Sequence, residues 1–167
     1  MIIDSHCHLT YEPMSNALNE TIDRAIKEGI KYMLTISTED KSFEQILKIV
    51  NDYKSVYGTY GIHPHQAKSH QHIKSIDIID KINQNKKIIG VGETGLDFYY
   101  NHSEKKDQIY SFEEHLSAAQ EKNLPLIVHT RSAEKETLQI LEKHSKKKKL
   151  KSLFIVLLDH ENLLLNY

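Results

Sequence analysis

The chain opens with Ile2-Ile3-Asp4-Ser5-His6-Cys7-His8, a short apolar run ending in two histidines. On a strand, alternate side chains share a face, so His6 and His8 point the same way, about 6–7 Å apart along the strand, and both can reach one ion. The same spacing also suits two hydrogen-bonded histidines at a strand-to-loop turn. Glu93 closes Gly90-Val91-Gly92, and His129 closes Leu126-Ile127-Val128. A carboxylate at the end of an apolar strand is unfavourable to bury unless it is paired or metal-bound. An ion pair or helix cap would satisfy Glu93, and a core position would satisfy His129 taken alone. Four such groups at corresponding strand ends point instead to a shared metal site. Imidazole and carboxylate donors without a thiol pair suit Zn, Mn, Fe or Mg rather than a structural cysteine-rich zinc site. A carboxylate can bridge two ions, and two ions about 3.5–4 Å apart can clamp a phosphodiester while activating water. The single cysteine, Cys7, is expected to pack as a small apolar residue facing away from any metal.

Elements that could bring these residues together follow from the apolar pattern. Strands are expected over Met1 to His8, Lys31 to Ser37, Tyr57 to His63, Lys87 to Glu93 and Leu124 to Thr130. Helices are expected over roughly 15–28, 40–54, 73–84, 104–122 and 133–145. In 104–122, Ile109, Phe112, Leu116 and Ala119 recur at steps of three and four and form one buried stripe. Gly29 is placed to end the first helix, and Ser132 to cap the last. Strict strand–helix alternation implies a parallel α/β sheet, either a doubly wound open sheet or a (β/α)8 barrel. The glycines at 90, 92 and 95 lack the rest of a dinucleotide signature. Polar groups gathered at the C-terminal ends of strands favour the barrel, where active sites occupy that face.

Composition narrows the function classes. The 167 residues carry 22 Lys+Arg against 23 Asp+Glu, a formal net charge of −1, so no global basic field draws nucleic acid. One cysteine excludes an internal disulfide, and no apolar stretch reaches the roughly 20 residues of a membrane span. These features lead to the expectation of a cytoplasmic protein without membrane contact. Of 11 histidines, His70, His72, His102, His115 and His144 are expected on helix surfaces. The run Lys146 to Lys149, with Lys151, is read as the solvated basic end of a helix.

Four segments carry a resemblance to a known family. Asp4-Ser5-His6-Cys7-His8-Leu9, Gly61-Ile62-His63-Pro64-His65, Gly92-Glu93-Thr94-Gly95-Leu96-Asp97 and His129-Thr130-Arg131 resemble, in order and spacing, the signatures of TatD-type metal-dependent hydrolases. The resemblance covers about residues 1–152. It implies a two-metal phosphodiesterase on a TIM-type barrel, usually a deoxyribonuclease with 3′-exonuclease activity, with DNA as the substrate. It further implies that His6 and His8 bind one ion and His129 the other. Glu93 would be the bridging catalytic carboxylate, and His63, His65 and Arg131 would lie on the substrate side. The alternatives are a related metallohydrolase acting on a non-DNA ester or amide, and a non-catalytic remnant.

The chain departs from that pattern at its C-terminal end. A full barrel takes about 250 residues, and five to six strand–helix units are expected here. The family's His-Cys-Phe motif and its later aspartate are absent. Phe154 through Asp159, with the first two bases of the His160 codon, can be encoded so that the bases, read in another phase, spell His-Cys-Phe-Thr-Gly-Ser. This predicts residues 1–154 as the N-terminal part of an incomplete barrel and 155–167 as an out-of-frame or aberrant tail. Impaired hydrolysis and self-association through the unclosed sheet edge are the expected consequences.

Overall fold

The computed structural model describes residues 1–146 and 151–156, the latter as backbone only. Six strands alternate with five helices: β1 (Ile2–Cys7), α1 (Leu18–Lys27), β2 (Ile30–Thr35), α2 (Phe43–Asp52), β3 (Val56–Tyr60), α3 (Ser75–Asn83), β4 (Ile88–Asp97), α4 (Lys105–Lys122), β5 (Pro125–Arg131), α5 (Glu134–Ser145) and β6 (Lys151–Val156). The apolar period sets each helix's buried face. In α2, Phe43, Ile46, Ile49 and Val50 return to one side and are buried. In α4, Phe112, Leu116 and Ala119 do the same. Full burial of side chains such as Phe43 and Phe112 contributes about 1.5–3 kcal/mol each.

All strands pair in parallel, in the order β1-β2-β3-β4-β5-β6. A doubly wound sheet would reverse direction at a switch point. Here each crossover advances one strand in the same direction, which is the strand order of a TIM-type barrel. The architecture is therefore an incomplete barrel, with β1 and β6 as the outer strands of the sheet. Ile2 and Ile3 on β1 are exposed.

Two irregularities fall where the chemistry was expected. Between Asp4 and Cys7, three steps along β1 match two along β2, from Met33 to Thr35. Between Val91 and Thr94, three steps along β4 match two along β5, from Leu126 to Val128. Each extra residue bulges its strand, and bulges re-aim side chains next to active sites. His6 and Glu93 lie in these two gaps. Two glycines let the backbones come this close: a Cβ on Gly61 would sit 2.3 Å from the Gly92 Cα, and one on Gly95, whose φ is +140°, 2.0 Å from the His129 carbonyl oxygen.

Two local expectations are corrected. Ser132 does not cap α5: it has φ 51°, Ala133 holds the cap position, and no side chain bonds there. His115 and His144 are not surface residues but are 0% and 6% exposed. Gly29 does end α1, with φ +96° and its N–H on the Ile26 carbonyl. Lys147 to Lys149 and residues 157–167 lie outside the described residues, as does the side chain of Lys151. Among the described residues no helix is long and apolar enough to cross a membrane.

Candidate metal centre

At the C-terminal rim, β1 and its exit bring His6 and His8, the segment after β3 brings His63, β4 brings Glu93 and β5 brings His129 to a common point. His6 and His8 share a face of β1 and its exit. Cys7, on the other face, donates its thiol to the Leu34 carbonyl, and burial pushes that thiol up to about 12. The Nε2 atoms of His6 and His8 are 3.1 Å apart, and they lie 3.5 and 4.0 Å from Glu93 Oε2. Two donors bound tetrahedrally at zinc's usual 2.0–2.1 Å are about 3.4 Å apart, so this trio fits one ion.

The other carboxylate oxygen, Glu93 Oε1, lies 3.2 Å from His129 Nδ1. His63 Nε2 is 3.3 Å from the same Nδ1, and by distance alone His63, Glu93 and His129 form a second metal-sized group. The tautomer argues otherwise for His63. Its Nδ1 accepts the His65 backbone N–H at 3.2 Å, which leaves the proton on Nε2. An Nε2–H faces the centre as a donor and cannot ligate. His63 thus presents its Nε2–H to the centre as a hydrogen-bond donor.

Burial and neighbours set the charges. Burial opposes ionisation of Glu93, but the hydrogen bond from His129 and the nearby imidazoles of His63 and His6 hold it below the ordinary glutamate range. Burial also disfavours charge on His129, yet bonding and attraction from Glu93, then from Asp97, raise its pKa above the usual histidine value. Burial and the neighbouring His129 push His63 down to about 3, so it is neutral. His6 is lowered chiefly by burial, with Glu93 opposing.

A cavity of about 520 Å³ opens above these groups, lined among others by Tyr11, Thr38, His65, Tyr100 and Arg131. Arg131 does reach this wall, its guanidinium 4.0 Å from the Tyr99 ring centroid and 4.9 Å from that of Tyr100. His65 is there too, with Nε2 2.9 Å from Asp97 Oδ2. Tyr11 stacks on His8, with ring centroids 5.0 Å apart and planes at 13°. The rim therefore combines metal donors, a cation, a neutral imidazole donor and flat aromatic faces.

Sequence reasoning missed the residues that hold these side chains. Asp97, 1% exposed, accepts His129 Nε2 and His65 Nε2 on one oxygen and two backbone N–H groups on the other. Gln108, buried on α4, clamps the Asp97 peptide: its oxygen accepts the Asp97 N–H and its amide donates to the Asp97 carbonyl. His115 donates from Nδ1 to the Ser111 carbonyl and accepts the Ile62 N–H on Nε2, anchoring the segment that carries His63. Asp97 could have been found as the last polar residue of the quoted Gly92–Asp97 motif. Gln108 and His115 carry no local signal.

Residues 3–156 match the model of the TatD related DNase family. An uncharacterized metal-dependent hydrolase of Buchnera aphidicola subsp. Baizongia pistaciae is 33% identical over 149 residues, covering 87% of this chain and 56% of that protein. The 3′-5′ ssDNA/RNA exonuclease TatD of Salmonella typhimurium is 30% identical over 141 residues, covering 84% and 54%. Among solved structures, the TatD homologue YjjV of Escherichia coli superposes with a TM-score of 0.73 at 26% identity, covering 86% of this chain and 56% of that one. A TatD family hydrolase from Entamoeba histolytica gives 0.78 at 20% identity, covering 87% and 55%. The chain spans just over half the length of these relatives.

Proposed function

The chain belongs to the TatD related DNase family, and on that premise we propose that its rim is the metal-binding half of a nuclease site acting on phosphodiester bonds of DNA. The observation that carries the reading is the division of Glu93: Oε2 turns to the His6–His8 pair and Oε1 to His129. A carboxylate so divided is suited to bridge two divalent ions. His6 and His8 would hold one ion and His129 the other. Such ions, when bound, supply Lewis-acid activation of water and of the phosphodiester.

The chain's own residues do the rest. His63 offers its Nε2 proton to a phosphate oxygen beside the ion positions. Arg131 supplies positive charge at the cavity wall, where a guanidinium can hold phosphate through paired hydrogen bonds. Tyr11, Tyr99 and Tyr100 offer faces on which unpaired bases can stack, an interaction worth about 1–3 kcal/mol per base. The Salmonella relative named as an ssDNA/RNA exonuclease supports this substrate class. The outer strands β1 and β6, with Ile2 and Ile3 exposed, support self-association of this chain.

The test is release of nucleotides from a 5′-labelled single-stranded oligonucleotide by the metal-stripped chain, with and without Mn or Zn. Small-ester and amide substrates run in parallel. Metal-dependent shortening of the oligonucleotide, lost in His63→Ala with zinc uptake retained, is the expected result. Hydrolysis confined to the small esters or amides would overturn the DNA assignment. Light scattering on the same preparation reads self-association.

A further inference from the structure

Four donors converge on the two carboxylate oxygens of Asp97. Oδ2 lies 2.9 Å from His65 Nε2 and 3.0 Å from His129 Nε2. Oδ1 accepts the backbone N–H groups of Tyr99 and Tyr100, each at 3.1 Å. The carboxylate is itself fixed, because Gln108 holds both backbone polar groups of Asp97 and ties them to the Ser103 carbonyl. The His6–His8 side differs: among the described residues, neither Nδ1 atom has a hydrogen-bond partner. Of His6, His8 and His129, among the described residues only His129 is held from behind.

We propose that Asp97 is a positioning residue that fixes the tautomer and aim of His129 and, through its second oxygen, sets the Tyr99–Tyr100 turn facing Arg131. The proposal rests on the metallohydrolase reading above. An ionised carboxylate only accepts, so when an ion takes His129 Nδ1 beside Glu93, the proton that remains on Nε2 has Asp97 Oδ2 to receive it at 3.0 Å. Outer carboxylates of this kind orient metal-binding imidazoles, and their loss typically weakens metal binding about 10–100-fold. An amide at position 97 has one accepting oxygen for the same four donors. Backbone N–H groups cannot change tautomer, whereas a histidine can. Asp97→Asn should therefore present its oxygen to Tyr99 and Tyr100 and its NH₂ to the imidazoles. With an NH₂ facing Nε2, the His129 proton is held on Nδ1, the atom meant for metal.

The test follows the imidazole nitrogens of the ¹⁵N-histidine-labelled full chain by NMR during a zinc titration at alkaline pH. In the unsubstituted chain, the His129 Nδ1 signal should shift as zinc is added, with the proton on Nε2 once zinc is bound. In Asp97→Asn, about 10–100-fold more zinc should be needed to move the His129 signal. The His6 and His8 signals should respond as before. Equal zinc response of His129 in both proteins overturns the proposal while leaving the metallohydrolase reading intact. If circular dichroism shows the Asn variant unfolded, the unsubstituted chain decides, and zinc bound through Nε2 of His129, with the proton on Nδ1, overturns the proposal. No response of any histidine to zinc in the folded, unsubstituted chain overturns the proposal together with the reading beneath it.

Discussion

The two sides of Glu93 solve the same problem in opposite ways. The His6–His8 side gathers three donors, but its imidazoles stand on an outer strand, 22% and 27% exposed, with nothing behind their Nδ1 atoms among the described residues. The His129 side offers Glu93 and one imidazole, yet that imidazole is 4% exposed on an inner strand and is braced by Asp97, which Gln108 braces in turn. One side relies on donor number and the other on preorganisation. Edge strands have packing on one flank only, so rigid supports concentrate where strands are covered on both.

Removing the residue the two sides share should erase the comparison. Glu93→Gln is expected to weaken zinc uptake on both sides by more than about 100-fold, beyond the loss of an outer partner alone; calorimetric titration checks this. Uptake that survives at His6 and His8 would show that the sides do not depend on a common carboxylate.

A backbone change should strike the His129 side alone. A Cβ at Gly95 would meet the His129 carbonyl oxygen at 2.0 Å, at a φ of +140° that side chains rarely adopt. Gly95→Ala is expected to destabilise the chain by about 1–3 kcal/mol through the backbone conformation alone, read by urea unfolding. It should also displace His129, whereas the His6–His8 imidazoles keep their zinc response.

The sides should also differ in their response to pH. His129 has a raised pKa, so below that value it is protonated, and zinc must displace the Nδ1 proton. Apparent zinc affinity on its side should rise with pH until the raised value is passed and then level off. His6 has a lowered pKa and is already neutral near pH 7, so it has no proton to give up there. Residue-resolved zinc titrations at pH 6 and 8 would show a steeper gain for His129 than for His6. Equal gains would remove the distinction.

The smallest effect lies away from the centre. Asp40 accepts Tyr60 and Lys81, each at 2.8 Å, and burial raises its carboxyl less than these bonds lower it. With its folded pKa depressed, its contribution is present above the unfolded value of 3.8 and lost as pH falls through the folded one. The pair is partly exposed, so Asp40→Asn should cost no more than about 1 kcal/mol at pH 7. The difference in melting should vanish at low pH, and zinc binding should not change.

The sequence revealed the donors more readily than their supports. His6, His8, Glu93 and His129 stand at the ends of apolar runs, where a polar residue is conspicuous. The alternation of strands and helices is equally plain, because burial imposes a period. Gln108 and His115 lie on a helix whose apolar stripe draws attention elsewhere. Their partners are distant: His115 meets Ile62 across 53 positions. Such residues look like ordinary surface polar groups until the fold closes around them, and so His115 was expected on the outside. Ser132 failed as a cap because local preference cannot foresee its backbone at φ 51°. Strand order also needed the structure, since both candidate architectures share the same alternation.

The central claim is that one carboxylate serves two ion positions. Anomalous diffraction from a crystal of this chain soaked in excess zinc tests it directly. Two peaks about 3.5–4 Å apart are predicted, one beside His6 and His8 and one beside His129, with an oxygen of Glu93 facing each. Peaks lying away from Glu93, or a single peak at full zinc occupancy, would contradict it.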